Sequence, residues 1–274
     1  TQYLGDYLLA DVLAHLPPVK KEWLLKTSLL DRFCAPLGEV VCQSDVTNGV
    51  DDLTGERFVR WLEDENLFLV ALDDRGHWFR FHHLFQDLLR SLLQEQLTPD
   101  ELAGLYLRAS TWFAESGLID EAIQYALTAQ DTTTAVQLVL DHRYALMNTE
   151  QWRRLDRWLQ ILPADVVAKT PLLLSTRAFV ALHRGEESEL VTARQQAGLL
   201  LAEPSPVGML SSAAEEYQTA EGELAVLQGF EDFYLGQASR AIANARSGLE
   251  VLPPEAGHIR SMARCIVADG LQMQ

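Results

Sequence analysis

The chain has 274 residues, with 22 Lys and Arg against 39 Asp and Glu and a formal net charge of −17. A composition 48% hydrophobic and 22% charged is that of a globular protein and excludes a disordered or collagen-like chain. So acidic a balance offers poor counter-charge to phosphates or anionic lipid, and no apolar run approaches the roughly 20 residues of a membrane span. The length suits one or two domains, or an open-ended repeat array.

The N-terminus, from Thr1 to Asp6, has no basic stretch leading into an apolar core, so it is not read as a signal peptide. The chain does not begin with Met, and it ends within the apolar pattern Met262 to Val267, so it reads as a piece of something longer. Cys34, Cys42 and Cys265 are odd in number and widely spaced. They read as reduced, small core residues of a cytoplasmic protein rather than a disulfide or zinc framework.

The first elements have mixed character. Leu4, Tyr7, Leu8 and Val12 recur at helical spacing up to Pro17-Pro18, and a second helix follows through Trp23, Leu24, Ser28 and Leu29. Asp45 to Asp52, with Asn48-Gly49, reads as a loop. Thr54 can cap a helix whose inner face is Phe58, Trp61 and Leu62. Two short runs, Asn66 to Leu72 and His77 to Phe81, flank Asp73-Asp74-Arg75-Gly76 and predict a β-hairpin. The next helix carries Leu84, Phe85, Leu88, Leu89, Leu92 and Leu93 on its expected buried stripe. Helices, a hairpin and a helix make the layout of a winged helix.

From about residue 98 the pattern is all helical. Thr98-Pro99-Asp100-Glu101 is a capping box with proline at the first helical position. Breaks follow at Gly117, Asp131, Thr149, Pro163, Thr170-Pro171, Gly185, Pro204 to Pro206, Gly236 and Pro253-Pro254, leaving helices of about 12 to 18 residues. Ala122 and Ala126 stand five and nine residues after Gly117, and Ala241 and Ala245 stand at the same offsets from Gly236. Gly117 and Gly185 lie 68 residues apart, twice the 34-residue tetratricopeptide period. Small residues at these offsets allow close helix approach, with Trp112, Tyr125 and Trp158 filling the spaces between. The array is therefore expected to be tetratricopeptide-like, though irregular.

Catalytic signatures are missing. No glycine is followed directly by lysine, which excludes a Walker A loop, and there is no Gly-x-Ser-x-Gly elbow, His-Glu-x-x-His or Cys-x-x-Cys. His77, His82 and His83 cluster at a strand end and helix start. As metal ligands they are unconvincing, because adjacent histidines there usually point apart and no carboxylate or cysteine follows at ligand spacing. A plainer reading packs one histidine inside while the other caps the helix or meets water. Arg80 is expected to face away from Phe79 and Phe81, as a solvated or paired side chain. Trp152, Arg153, Arg154 and Arg157 form a basic, aromatic stretch. Either Trp152, Leu155, Trp158 and Leu159 make a buried face with the arginines in solvent or paired with acids, or Arg153, Arg154 and Arg157 contact an anionic ligand or partner.

Three stretches, in order, resemble the large ATP-dependent transcription activators of the MalT type, LuxR-family regulators with a signal-transducing ATPase. They are Leu24 to Leu37; Asn66 to Asp73 with Trp78 to Leu89, including Phe81-His82-His83-Leu84; and Ala109 to Ile123. Leu155 to Pro163 is similar too, and the likeness covers residues 1 to 185 best. It implies a mostly α chain, a winged-helix domain over 1–95 and a tetratricopeptide-like, truncated sensor of helical hairpins over 96–274. Such proteins place an ATPase before these parts and a DNA-binding helix-turn-helix after them, and this chain shows neither.

The resemblance further implies that His82 meets the β-phosphate of ADP in the full-length protein. His83 stands where relatives often have aspartate, which affects how that helix end is held. ATP or ADP is expected in the full-length protein and no cofactor in this stretch. The ATPase core of the same polypeptide and a small-molecule inducer or regulatory protein are the expected partners, with self-association on activation and no membrane. The expectation is a non-enzymatic relay of inducer binding to a nucleotide switch. Its rival is a stand-alone tetratricopeptide-like scaffold without a switch, and a third reading has the winged helix bind DNA itself, against the net charge.

Overall fold

The computed structural model describes residues 16–43, 53–74, 76–202 and 211–273. The helix expected around Leu4 to Val12, the loop Asp45 to Asp52, Arg75 and the break at Pro204 to Pro206 lie outside them. The chain divides into two compact units, one up to Asp131 and one from Thr132.

In the first unit, proline sets the opening boundary. Pro suits a first helical turn, where its missing N–H costs nothing, and α1 runs Pro18–Thr27 with Trp23, Leu24, Leu25 and Thr27 buried. Ser28 is its C-cap rather than part of the helix. Then come α2 (Ala35–Cys42) and α3 (Gly55–Asp64), the latter capped by Thr54, whose side chain accepts the Arg57 N–H. The face expected to be inner, Phe58, Trp61 and Leu62, is buried.

The hairpin is shorter than its apolar runs. β1 (Leu69–Ala71) pairs antiparallel with β2 (Phe79–Phe81), Leu69 opposite Phe81 and Ala71 opposite Phe79. Asn66 and Phe68 have left-handed φ values of 52° and 50°, which no strand tolerates, so pairing starts only after them. On the other side Asp73 accepts the backbone N–H groups of His77 and Trp78 at 2.9 and 3.2 Å, turning those residues out of the ladder. Phe33 bridges Phe79 through two backbone hydrogen bonds of 2.8 Å, adding a third short edge. Arg80 is exposed between buried Phe79 and Phe81, as alternation predicts.

Helix α4 (His83–Gln96) buries Phe85, Leu89 and Leu93. Leu84, expected on that stripe, is 61% exposed, because a stripe repeating every four residues from Phe85 leaves position 84 on the flank. The capping box of α5 (Pro99–Glu115) forms in both directions between Thr98 and Glu101, and α6 (Ile119–Thr128) completes the unit. Of the cysteines, Cys34 and Cys42 are buried and free as expected, whereas Cys265 is exposed.

The second unit is all helical among its described residues: α7 (Thr132–Asn148), α8 (Trp152–Ile161), α9 (Ala164–Val167), α10 (Pro171–Arg184), α11 (Glu187–Ala202), α12 (Ser211–Tyr234), α13 (Ala238–Val251) and α14 (Gly257–Gln272). Lengths run from 4 to 24 residues, a wider spread than the spacing of breaks suggests. One turn design recurs. After α5, α10 and α12 the left-handed residue is Gly117, Gly185 or Gly236, at φ 72–74°. After α6 and α7 it is Gln130 or Glu150, at 61° and 56°. In all five, the left-handed residue donates to the carbonyl three back, and the next residue donates to the carbonyl five back. This is the Schellman arrangement, which satisfies carbonyls left over at a helix C-terminus.

A Cβ on any of the three glycines would meet nothing within 4 Å, so they are present for their backbone conformation. Glu150 falls between Gly117 and Gly185, dividing their 68 residues into near-tetratricopeptide steps. The small residues act as expected: Ala122, Ala126, Ala241 and Ala245 are fully buried. A Cβ on Gly229 would lie 3.0 Å from the Ala241 carbonyl oxygen, so α12 and α13 approach almost backbone to backbone. The chain is thus mostly α-helical, a winged helix followed by helical hairpins.

Candidate functional site

The stretches that carry the family resemblance meet in the first unit. Helix α1 ends on the carbonyls of Ser28, Leu29 and Leu30, and α4 supplies their donors. Gln86 donates to Ser28 and Leu30 at 3.0 and 2.7 Å, and Arg90 to Ser28 and Leu29 at 2.7 and 3.1 Å. Arg90 also pairs with Asp31 at 2.9 Å. From α6, the Tyr125 hydroxyl accepts the Asp31 N–H at 2.9 Å, and Glu121 pairs with Arg32, whose guanidinium lies 4.2 Å over Trp78. Burial pushes the Tyr125 phenol up to about 12, so it stays a neutral partner at any physiological pH. These motifs hold one framework together, and the histidines stand at the N-terminus of α4, one turn before Gln86.

There, His82 is the N-cap residue of α4, and its N–H donates to the Phe68 carbonyl at 2.8 Å. Its side chain makes no capping hydrogen bond. His82 and His83 are both exposed with ring centroids 4.3 Å apart, so neither packs inside and the two rings do not point apart. The plainer reading is therefore corrected in part: no histidine of the pair packs inside, and both meet water. The backbone conformation of the cap turns both side chains outward. Among the described residues no three His, Cys, Asp or Glu side chains are grouped to hold a metal ion.

In the second unit, Arg153, Arg154 and Arg157 come together as one wall of a cleft of about 850 Å³. Glu150, Gln151, Trp152, His183, Arg184 and Glu186 complete the lining. Leu155, Trp158 and Leu159 are buried as the amphipathic pattern requires, while Trp152 is only half-buried and lines the cleft. Arg184 is engaged by Asp156 and by Glu186 at 2.9 Å, and Arg154 lies over the Trp158 ring. Arg153 and Arg157 are exposed and carry no ion pair among the described residues. The cleft thus keeps uncommitted positive charge on a chain of strongly negative net charge.

Sequence reasoning missed the wall behind it. His183, at the end of α10, stacks on Trp152 at 3.9 Å between centroids with the planes 9° apart. His258, at the start of α14, meets the same indole edge-on, and the two histidine Nε2 atoms are 3.0 Å apart. Asn148 fixes His258 by accepting its N–H at 2.7 Å. Burial lowers the pKa of both imidazoles, and His183 is lowered further by His258. Nothing in the spacing of residues 152, 183 and 258 could reveal this cluster, since three different helices deliver it.

Comparison with known proteins settles the first part of the chain. Residues 9–101 match the MalT winged helix domain. Over 267 residues, 97% of this chain, it is 27% identical to the HTH-type transcriptional regulator MalT of Serratia proteamaculans. Over 268 residues it is 29% identical to the serine/threonine-protein kinase PknK of Mycobacterium tuberculosis, and likewise to PknK of Mycobacterium bovis. The chain spans 28% of that MalT and 22% of each PknK. The MalT-type winged helix accounts for the hairpin and the α1–α4 lock, and the likeness to MalT continues through the helical hairpins. No helix among the described residues is long and apolar enough to cross a membrane.

Proposed function

We propose that this chain is the winged-helix and sensor portion of an ATP-dependent transcription regulator, with domains at 1–95 and 96–274. In this reading it relays the binding of an inducer or regulatory protein to a nucleotide switch. The observation that carries the proposal is a MalT-type winged helix followed, over almost the whole remaining chain, by MalT-like helical hairpins that form a cationic cleft. A transcriptional regulator and a protein kinase share this stretch although their activities differ, which favours a regulatory module over a catalytic one.

His82 suits a nucleotide contact. Its ring is exposed at a helix start, where the dipole and the first-turn N–H groups favour a phosphate. The nucleotide would come from an ATPase core elsewhere in the same polypeptide, and DNA would be read by a helix-turn-helix outside this chain. Arg153, Arg154 and Arg157 would receive the anionic part of the inducer or partner. An inducer that binds the open, self-associated form more tightly than the closed one shifts the population toward it.

The test uses the parent protein. His82→Ala should weaken ADP binding and raise uninduced transcription, while His77→Ala leaves both unchanged. ADP affinity unaffected by His82→Ala would remove the switch role and leave the stand-alone scaffold as the better reading.

A further inference from the structure

Resting on the reading of the arginine cleft as an anion site, we propose that its ligand is a compact dianion, a phosphate- or sulfate-type group, taken up together with a proton by the His183–His258 pair. At 3.0 Å the facing Nε2 atoms have room for one hydrogen, so one imidazole donates and the other accepts. The pair is stable neutral, or with one added proton on the donor's far nitrogen. Two added protons would set two N–H groups against each other.

The surroundings decide how readily that proton arrives. The His183 ring lies flat against Trp152, which supplies an apolar face and no acceptor, and desolvation disfavours the charged form. The charged groups around the pair come from every adjoining element. Glu150 stands in the turn before α8, Arg153, Arg154 and Arg157 on α8, Arg184 and Glu186 at the end of α10, and Glu255 just before α14. His258 lowers the pKa of His183 further, and among the carboxylates Glu150 acts on both histidines in the opposite sense. In the empty cleft the pair is therefore neutral at physiological pH.

A dianion beside Arg153 and Arg157 changes that balance. It supplies an acceptor whose charge favours imidazolium. His183 lines the cleft and touches His258, so it can be charged toward the ligand while His258 shares the proton from behind. Reciprocity then fixes the sign: if the anion raises the pKa of the pair, proton uptake tightens the anion. Affinity should be constant well above the liganded pKa, rise as the pH falls through it, and level off below the pKa of the empty cleft.

Sulfate is the probe of choice, because it does not itself titrate between pH 5.5 and 8. Sulfate binding to the chain, followed by calorimetry and by the histidine ring resonances, should be at least about threefold tighter at pH 5.5 than at pH 8. In His183→Gln and His258→Gln that ratio should fall to about one, with binding at pH 8 retained. Arg153→Gln combined with Arg157→Gln should weaken sulfate at both pH values. Binding that depends on the arginines but is equal at the two pH values would overturn the proton coupling and leave the anion site standing. Sulfate binding indifferent to the arginines would overturn both. Should a glutamine variant unfold, the wild-type histidine resonances still decide the matter: no upward shift of their midpoint with sulfate refutes the proposal.

Discussion

The two units bury their most demanding side chains in opposite ways. The first closes on aromatic rings: Phe33 lies 5.0 Å from Phe81, Phe81 5.6 Å from Phe85, and Trp23 5.3 Å from Phe58, all buried. The second closes on charge. Arg143 and Glu223 are buried to 2% and 0% and pair at 2.8 Å, and Thr176, Tyr144 and Ser175 bond to one or both partners. Burial works against the Arg143 charge, and Glu223 together with Tyr144 and Glu216 more than restores it, so its pKa is raised. Apolar packing tolerates partial loss, because its energy is a sum of many small contacts. A buried ion pair does not, since either partner alone is an unpaired charge in a poor solvent.

That contrast can be broken most sharply at Glu223. Glu223→Ala should destabilise the second unit by roughly 3–5 kcal/mol in urea unfolding. Replacing Arg143 and Glu223 together by Met and Leu should recover most of this loss. If the double variant is as unstable as the single one, the network does more than neutralise itself. In the first unit Phe81→Ala should cost about 3–5 kcal/mol as well, but there no second substitution nearby should restore stability.

Smaller changes test the helix contacts and turns. A Cβ on Gly248 would lie 2.5 Å from Val226 and 2.7 Å from the Gly222 carbonyl oxygen. Gly248→Ala should therefore cost about 1–3 kcal/mol by forcing α12 and α13 apart, read as a fall in Tm. At the turns, Gly117→Ala should destabilise by roughly 1–2 kcal/mol, whereas Gln130→Gly should stabilise slightly by relieving a left-handed side-chain position. The smallest effect should be at the α5 cap. Hydrogen bonds from Thr98 hold the Glu101 carboxyl below its ordinary range, so its support is full above that range and is lost as pH falls through the lowered value. Thr98→Ala should flatten this acid dependence in a comparison of thermal melts.

Much of the architecture was legible in the chain because it depends on near neighbours. Thr98 to Glu101, the glycines at 117, 185 and 236, the small residues after them and the aromatic runs of the hairpin each carry a local requirement. The breaks near Asp131 and Thr149 were visible, but the left-handed residues there, Gln130 and Glu150, were not, because hydrogen bonding across the turn imposes that conformation on residues with no preference for it. At the site, the sequence set Arg153, Arg154 and Arg157 apart as a basic, aromatic stretch, but not the cleft that they line.

The sequence by itself therefore determined the helix ends, the hairpin, the class of fold and the winged-helix kinship, all of which rest on residues a few positions apart. Only tertiary structure decided that Arg143 meets Glu223, that Gln86 and Arg90 close the end of α1, and that His183 and His258 meet beside Trp152. Those contacts join residues separated by tens of positions, and a lone histidine or glutamate carries no mark of its partner until packing brings the two together.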